Sequence, residues 1–285
     1  MEDNSTSLNK TLENVGENLG EDETHMLAHL KQACVKVRTN LPKLPDLLGK
    51  TEVDACSFAL VAGGWVRDKL LNKPSKDIDM IVAKGAMGLL LQFFREQIQI
   101  WKNELFRLGF TLTTVENKQE LGAGVCKGED LIQFDLLITN RDDGQEVEHI
   151  DLDFREVGTV ANSLKEDLKT RDFTVNSLYY DVAEEETIDM CQGIQDLRAR
   201  ILRCTNSFDV TFADVSRYLR GIRFCITKGF KIEDDLRKHF EEKAGRVLNS
   251  IGANELWSIS KELDKLLKEQ EKLPEIVRSL AKLGM

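Results

Sequence analysis

The sequence lacks the features of several large protein classes. It has no apolar run near the roughly 20 residues of a membrane span, and its N-terminus has neither a signal-peptide core nor a transit peptide's arginines. Its six cysteines form no CxxC pair and no cysteine–histidine pattern, which argues against structural zinc. These absences predict a reduced, intracellular protein with no membrane partner. A cytoplasmic location is expected, with a nuclear or organellar one left open.

The chain's length and charge set wide limits on its organisation. Its 285 residues allow one large or two medium domains, and its formal net charge is −10. Residues 1–25 are acidic and polar, which predicts a disordered tail. Between Arg198 and Arg246, twelve basic residues face seven acidic ones. That stretch is a candidate RNA-binding surface, although a solvated helical surface explains the same pattern.

The hydrophobic pattern changes along the chain. Short apolar runs alternate with helical periodicity as far as residue 180, and helical periodicity dominates after that. From Ser163 onward we predict helix, interrupted by ETIDMCQGIQDLRARILRC, residues 186–204, which is predicted as a short extended piece and a turn. We predict an α+β fold in which a head domain, residues 26–180, combines a mixed β-sheet with helices. An all-helical neck domain follows over residues 181–285.

The segment LVAGGWVRDKLLNKPSKDIDMIV, residues 60–82, carries the first chemical signal. On a strand, Asp77 and Asp79 point to the same face, and two such carboxylates suit Mg²⁺. A solvated edge strand would explain a bare DxD equally well. Gly63 and Gly64, however, open a short helix that can receive a phosphate group. A phosphate cradle beside a metal-binding pair is the minimal apparatus of phosphoryl or nucleotidyl transfer.

A third carboxylate would complete a two-metal site. Asp151 and Asp153 are the candidates because they also stand two residues apart on a predicted strand. The spacing leaves the choice between them open, and we take Asp151 as the catalytic candidate.

Four segments together resemble tRNA nucleotidyltransferases (CCA-adding enzymes) and the bacterial-type poly(A) polymerases of the same family. They are GGWVRDKLL…KDID, TRDFTVNSLYYD, GIQDLRARILR and ADVSRYLRGIRF, which span residues 60 to 230. The resemblance implies a palm-like nucleotidyltransferase head domain and a neck domain that recognises the nucleotide base. It also implies Mg²⁺ as the cofactor, with Asp77 and Asp79 as its ligands.

The resemblance further implies an activity and a set of nucleotide contacts. The activity is template-independent addition of C and A to the 3′ end of tRNA, from CTP and ATP. Asp214 would accept a hydrogen bond from the exocyclic amine of the base, and Arg217 would donate one to a ring nitrogen or carbonyl. The nucleotide-binding candidates are Gly63, Gly64, Arg67, Arg171, Asp172, Asn176, Asp214, Arg217, Arg220 and Arg223.

Departures from the family pattern keep alternatives open. Thr170 and Ala213 stand where the family has Arg and Glu, and Asn254 stands where Arg is usual. The chain ends near the end of the neck, so a homodimer or a partner that supplies further tRNA-binding domains is expected. Partial CC or A addition, poly(A) synthesis, and a non-catalytic RNA- or nucleotide-binding role are the alternatives.

Overall fold

The protein is described by a computed structural model covering residues 21–40, 59–120, 130–157, 163–248 and 255–282. The chain divides into two compact units. The first contains the chain up to Leu168 and again from Leu178 to Ile188, and the second contains Lys169–Ser177 and the chain from Asp189 onward. The chain therefore passes between the two units more than once instead of at a single boundary at residue 180. Lys169–Ser177 belong to the second unit, and the next segment, Leu178–Ile188, returns to the first. The roles predicted for the two domains stay predictions.

The first part of the chain forms a sheet with flanking helices. In chain order the elements are α1 (Glu21–Asn40), β1 (Ala59–Ala62), α2 (Gly64–Leu70), β2 (Asp77–Ala83), α3 (Met87–Arg107), β3 (Phe110–Glu120), β4 (Asp130–Asn140), β5 (Glu146–Val157), α4 (Ser163–Thr170), β6 (Leu178–Asp181) and β7 (Glu186–Asp189).

The seven strands form one mixed sheet in the order β3-β4-β5-β2-β1-β6-β7. β2 and β5 pair in parallel, whereas β1 pairs antiparallel with both β2 and β6. β3, β4 and β5 form an antiparallel meander. The predicted mixed sheet is confirmed, and β2 and β5 lie next to each other within it.

One face of the sheet is packed against α3. Apolar residues recur along this helix at helical spacing, and Phe94 reaches the sheet. Its ring lies 5.4 Å from Phe134 on β4 and 5.5 Å from Phe154 on β5, measured between ring centroids. Because side chains alternate along a strand, residues next to these phenylalanines point to the opposite face.

Three local predictions differ from the structure. α1 begins at Glu21, so residues 21–25 of the predicted disordered tail are helical, and residues 1–20 lie outside the described part. β6 was predicted as helix, but its four residues form a fully buried strand. Residues 193–199 were predicted as a turn, yet they form a helix whose first amides, Gly193 and Ile194, donate to the Asp189 carboxylate.

The second unit is mainly helical. Its further elements are a 3₁₀ turn (Thr174–Asn176), α5 (Gly193–Ala199), β8 (Ile201–Leu202), α6 (Phe208–Thr211), α7 (Ser216–Lys228), β9 (Lys231–Ile232), α8 (Asp234–Leu248), α9 (Leu256–Leu267), a second 3₁₀ turn (Gln270–Lys272) and α10 (Leu273–Lys282). β8 and β9 pair in parallel over two residues, so the prediction that this part is entirely helical is wrong in that detail. Within the described residues, no helix is both long and apolar enough to cross a membrane.

Candidate active site

The predicted carboxylate pair lies on β2. Asp77 and Asp79 are exposed, whereas Ile78 and Met80 are each 1% exposed and lie in the core. This is the alternation that the DID sequence predicts for a strand with one buried face. Both carboxylates therefore project from the face of the sheet opposite α3.

β5 adds two more carboxylates in register with the first two. Parallel pairing sets Asp77 opposite Asp151 and Asp79 opposite Asp153. Burial raises the pKa of Asp151, and Asp77 adds to the rise through its charge and a hydrogen bond, while His149 opposes it. Four carboxylates that crowd on one face disfavour their own ionised forms, which is the situation that a bound cation relieves.

The two β5 carboxylates have different surroundings. Asp151 is exposed on the open face. Asp153 is half-buried, and both of its oxygens accept hydrogen bonds of 3.1 Å from the Gln133 side-chain amide on β4. Burial raises the pKa of Asp153, and the hydrogen bond from Gln133 opposes that rise.

β4 and β5 also contribute two residues that the sequence analysis missed. Asp135 pairs with Asp151 across the antiparallel strands, and His149 precedes Asp151 by two residues on the same face. His149 Nε2 lies 2.7 Å from Asp135 Oδ1 and 3.5 Å from Asp151 Oδ1. The hydrogen bond to Asp135 raises the pKa of His149.

The glycine turn adjoins the same carboxylates. Ala62 pairs with Asp79, so Gly63 follows directly beside the DxD strand. Gly63 has φ 76° and ψ −125°, a conformation that L side chains rarely adopt, and its amide donates to the Leu178 carbonyl at 2.9 Å. The turn is thus fixed by the sheet itself.

The Arg67 side chain lies next to this turn. It is 6% exposed and makes two hydrogen bonds of 2.8 Å to the two carboxylate oxygens of Asp68. A Cβ atom placed on Gly64 would stand 3.6 Å from Arg67 Nη2. The guanidinium therefore lies close to the glycine backbone while it pairs with Asp68. Contact between Arg67 and a nucleotide stays a prediction.

In the second unit, Asp172 is the centre of a buried hydrogen-bond network. Asp172 Oδ1 accepts from the Phe173 amide at 2.6 Å and from the Asn176 side chain at 2.9 Å, and Oδ2 accepts from Arg220 at 2.9 Å. Burial acts to raise the pKa of Asp172, but Arg220 and the hydrogen bonds from Asn176 and Phe173 hold it below its ordinary value. Near this network, Arg171 Nη1 donates to the Asn176 carbonyl at 3.5 Å.

Glu262 on α9 extends this network, and the sequence analysis missed it. It is 2% exposed, and its two oxygens accept from Arg220 Nε at 2.9 Å and Arg223 Nε at 2.8 Å. Arg220 thereby bridges two buried carboxylates, Asp172 and Glu262. A sequence signal was available, because Glu262 falls on the apolar stripe of α9 between the buried Ile259 and Leu266.

Asp214 and Arg217 stand together at the start of α7. Asp214 Oδ1 accepts from the Ser216 amide at 3.0 Å, and Asp214 Oδ2 lies 3.8 Å from Arg217 Nε. The other Arg217 nitrogens donate to the backbone carbonyls of Thr211 and Thr170, at 3.1 and 2.6 Å. Within the described residues, the buried Arg217 Nε atom has no hydrogen-bond acceptor.

Comparisons with known proteins identify the family of the chain. Residues 59–203, just over half of the chain, match the family described as "Poly A polymerase head domain". The chain belongs to this family. The predicted resemblance to tRNA nucleotidyltransferases and poly(A) polymerases is confirmed.

Curated relatives of the chain include the CCA-adding enzymes of two bacteria. The Streptococcus uberis enzyme is 30% identical over 238 residues, which cover 81% of this chain and 51% of that enzyme. The Enterococcus faecalis enzyme is 35% identical over 187 residues, which cover 64% of this chain and 40% of that enzyme. The chain thus spans about half the length of the curated relatives that it matches.

Among solved structures, the fold is similar to that of the Thermotoga maritima CCA-adding enzyme complexed with tRNA. The TM-score is 0.61 at 21% identity, over 97% of this chain and 53% of that one. This likeness confirms the fold class and, at that identity, shows the fold alone.

The structure places the predicted residues of this family member in two sets. Gly63, Gly64, Arg67, Asp77, Asp79 and Asp151 belong to the first unit, and Arg171, Asp172, Asn176, Asp214, Arg217, Arg220 and Arg223 belong to the second. In the first set, oxygen ligands on adjacent strands and their mutual repulsion fit a cation. Together with family membership, they indicate a divalent metal ion.

Proposed function

We propose that the chain is a template-independent nucleotidyltransferase that adds C and A to the 3′ end of tRNA. CTP and ATP would be the donors, and pyrophosphate would be released. The observation that carries the proposal is the in-register placement of Asp77, Asp79 and Asp151 on one open sheet face beside a glycine turn. The names of the CCA-adding relatives support the choice of reaction.

We assign the metal ion as Mg²⁺, held by Asp77 and Asp79. Both are exposed carboxylates on a strand that is paired on both sides, so they offer hard oxygen ligands from a rigid support. When bound, Mg²⁺ would neutralise triphosphate charge and favour ionisation of the attacking 3′-hydroxyl. Asp77 and Asp79 would hold the ion at the open face of the sheet.

Asp151 is the third carboxylate that we propose. It lies directly opposite Asp77 and is exposed, so an ion held by Asp77 can also reach it. Asp153 is less suitable because both of its oxygens already accept from Gln133 and it is half-buried. The hydrogen bonds between Gln133 and Asp153 would instead hold the Asp153 side chain in a fixed orientation on the sheet face.

Gly63, Gly64 and Arg67 would receive the triphosphate. The absence of side chains at the turn lets a phosphate approach the backbone closely. Arg67 places positive charge next to the turn even while it pairs with Asp68. That pairing fixes the orientation of the guanidinium, so the ordering cost is already met before the nucleotide binds.

In the second unit, Asp214 and Arg217 would select the base. Asp214 is exposed enough to accept from the exocyclic amine that C and A share. Arg217 lies beside Asp214, with Nε 3.8 Å from Asp214 Oδ2, so a base that Asp214 binds would stand next to this guanidinium and its donors. Arg220 and Arg223 would act as positioning residues, because Asp172 and Glu262 already bind their guanidiniums.

Arg171, Asp172 and Asn176 would form the ribose-facing segment. Asp172 and Asn176 are 4% and 7% exposed and hydrogen-bond to each other, which fits a role in holding the backbone of that segment. Arg171 is the member of the three that is only partly buried. We therefore propose Arg171 as the residue that contacts the nucleotide sugar directly.

The tRNA would be bound partly by the basic stretch between Arg198 and Arg246. Arg237 and Lys238 in this stretch form exposed ion pairs with Asp234 and Asp235, three residues earlier on α8. Such pairs are weak, so phosphate groups can displace them. A homodimer or a partner with further tRNA-binding surface, and an intracellular, cytoplasmic location, stay predictions.

The decisive experiment uses a tRNA transcript that lacks its CCA end. Incubation with each labelled nucleoside triphosphate and Mg²⁺, followed by sequencing of the 3′ ends, separates the candidate activities. Full CCA ends support the proposal, whereas CC ends, A ends or long A tails identify the partial enzymes or a poly(A) polymerase. Tight nucleotide binding with no incorporation from any triphosphate would establish the non-catalytic alternative.

A further inference from the structure

Asp135, His149 and Asp151 form a compact group on the open face of the sheet. Each offers one ligand atom, and these atoms lie within 4.8 Å of one another. The proposed transfer reaction uses only Asp151 of the three. Asp135 and His149 therefore have no assigned role, although both point to the same face as the DxD carboxylates.

We propose that Asp135, His149 and Asp151 bind a divalent transition-metal ion at a site separate from the Asp77–Asp79 pair, with Asp151 shared between the two. The donor set is one imidazole nitrogen and two carboxylate oxygens. Imidazole suits Zn²⁺, Co²⁺ and related ions, whereas Mg²⁺ prefers oxygen ligands and retained water. The two sites thus differ in the metals that they select.

The distances fit such an ion with small adjustments. Metal–ligand bonds of about 2.0–2.1 Å place neighbouring ligand atoms roughly 2.8–3.4 Å apart in octahedral or tetrahedral geometry. His149 Nε2 stands 3.5 Å from Asp151 Oδ1, close to that spacing. It stands 2.7 Å from Asp135 Oδ1, where a hydrogen bond now joins them. An ion bound to both atoms would take the place of that hydrogen bond, and side-chain rotation would lengthen the 2.7 Å distance.

The three residues lie on rigid strands, and their side chains are accessible to solvent. Asp135 and Asp151 pair directly across β4 and β5, which are both interior strands of the sheet. The side chains of Asp135, His149 and Asp151 are 49%, 39% and 52% exposed, so the ion can enter and keep water in its remaining positions. Three protein ligands plus water is the usual arrangement of an open zinc site.

The direct test is a Zn²⁺ titration of the metal-free full chain. The protein has four histidines, so side-chain ¹H–¹⁵N spectra resolve them individually with the help of single substitutions. We expect Zn²⁺ to shift the His149 imidazole signals first, and excess Mg²⁺ to leave that shift in place. A titration in which His149 signals do not respond would overturn the proposal, whatever the variants do.

Calorimetry with variants supplies the second measurement. His149→Gln should weaken Zn²⁺ binding by at least about tenfold, because a direct ligand matters no less than the outer partners of a metal site. Asp135→Asn should weaken it similarly. His29→Gln is the matched control, since His29 also lies beside a carboxylate, 3.2 Å from Glu104, but belongs to no three-ligand group among the described residues. Unchanged Zn²⁺ affinity in His149→Gln would refute the site.

These measurements are independent of the proposed transfer reaction. They report metal binding by the free protein, with no nucleotide or tRNA present. Zn²⁺ binding at His149 together with no incorporation of C or A would leave this site standing and refute the proposed function. Incorporation without any Zn²⁺ response at His149 would do the reverse.

Discussion

Replacing Glu262 by glutamine tests the charge network that holds Arg220 and Arg223. Glu262 is 2% exposed and binds both guanidiniums at 2.9 and 2.8 Å. Removing one partner of a buried ion pair costs about 3–5 kcal/mol, because the remaining charge loses its compensation. Arg220 keeps its bond to Asp172, and its side chain is 33% exposed. We therefore expect the lower end, about 3 kcal/mol.

Urea unfolding followed by far-UV circular dichroism measures this cost. With a denaturant slope of about 2 kcal/mol per molar, a loss of about 3 kcal/mol lowers the midpoint of the second unit by about 1.5 M. Asp264→Asn, an exposed carboxylate on the same helix, is the matched control and should change stability by less than about 0.5 kcal/mol. A cost below about 1 kcal/mol for Glu262→Gln would refute the reasoning, because water would then compensate both guanidiniums.

The same substitution should also change the acid dependence of stability. Burial acts to raise the pKa of Glu262, but the charges of Arg220 and Arg223 hold it below its ordinary value of 4.5. A carboxyl with a lowered pKa in the folded state contributes stability above the unfolded-state pKa and loses it as the pH falls further. The wild type should therefore lose unfolding free energy below about pH 4.5 more steeply than Glu262→Gln. Parallel curves for the two proteins would contradict this.

Three further substitutions test the site and its support. Asp79→Asn should lower nucleotide incorporation at least about a hundredfold. The circular dichroism spectrum should stay unchanged because Asp79 is exposed. More than a tenth of wild-type activity would exclude Asp79 as a metal ligand. Asp214→Ala should relax the preference for CTP and ATP in a competition assay, since about 1–3 kcal/mol of hydrogen-bond discrimination is lost. Tyr179→Phe should destabilise the first unit by about 1–3 kcal/mol in urea, because buried Asp167 loses a 2.8 Å hydrogen bond.

The sequence predicts the chemistry of individual strands better than their arrangement. Alternation alone placed Asp77 and Asp79 on one face of β2, and it did the same for Asp151 and Asp153 on β5. It could not show that these two strands are neighbours in parallel register, because 68 residues of chain and two other strands separate Val82 from Asp151. The proposed choice of Asp151 over Asp153 rests on the pairing of Asp151 with Asp77 and on the hydrogen bonds that Gln133 donates to Asp153.

Burial explains the local errors. β6 is buried on both faces, so its residues LYYD show no alternation and cannot be distinguished from a helix by period. α5 is short, and it is capped by Asp189, a residue that precedes the turn, so no N-cap signal stands immediately before it. In both segments the deciding contacts come from outside the element itself.

The group formed by Asp135, His149 and Asp151 depends on a single irregularity in the β4–β5 hairpin. Thr139 pairs with Glu146, but Ile138 pairs with Glu148, so one extra residue on β5 shifts the register. Without that bulge, continued pairing would set Asp135 opposite Ile150, which is 2% exposed and points into the core. A one-residue shift exchanges the faces of a strand. The bulge therefore aligns Asp135 with the carboxylates of β5, and bulges of this kind re-aim side chains at functional sites.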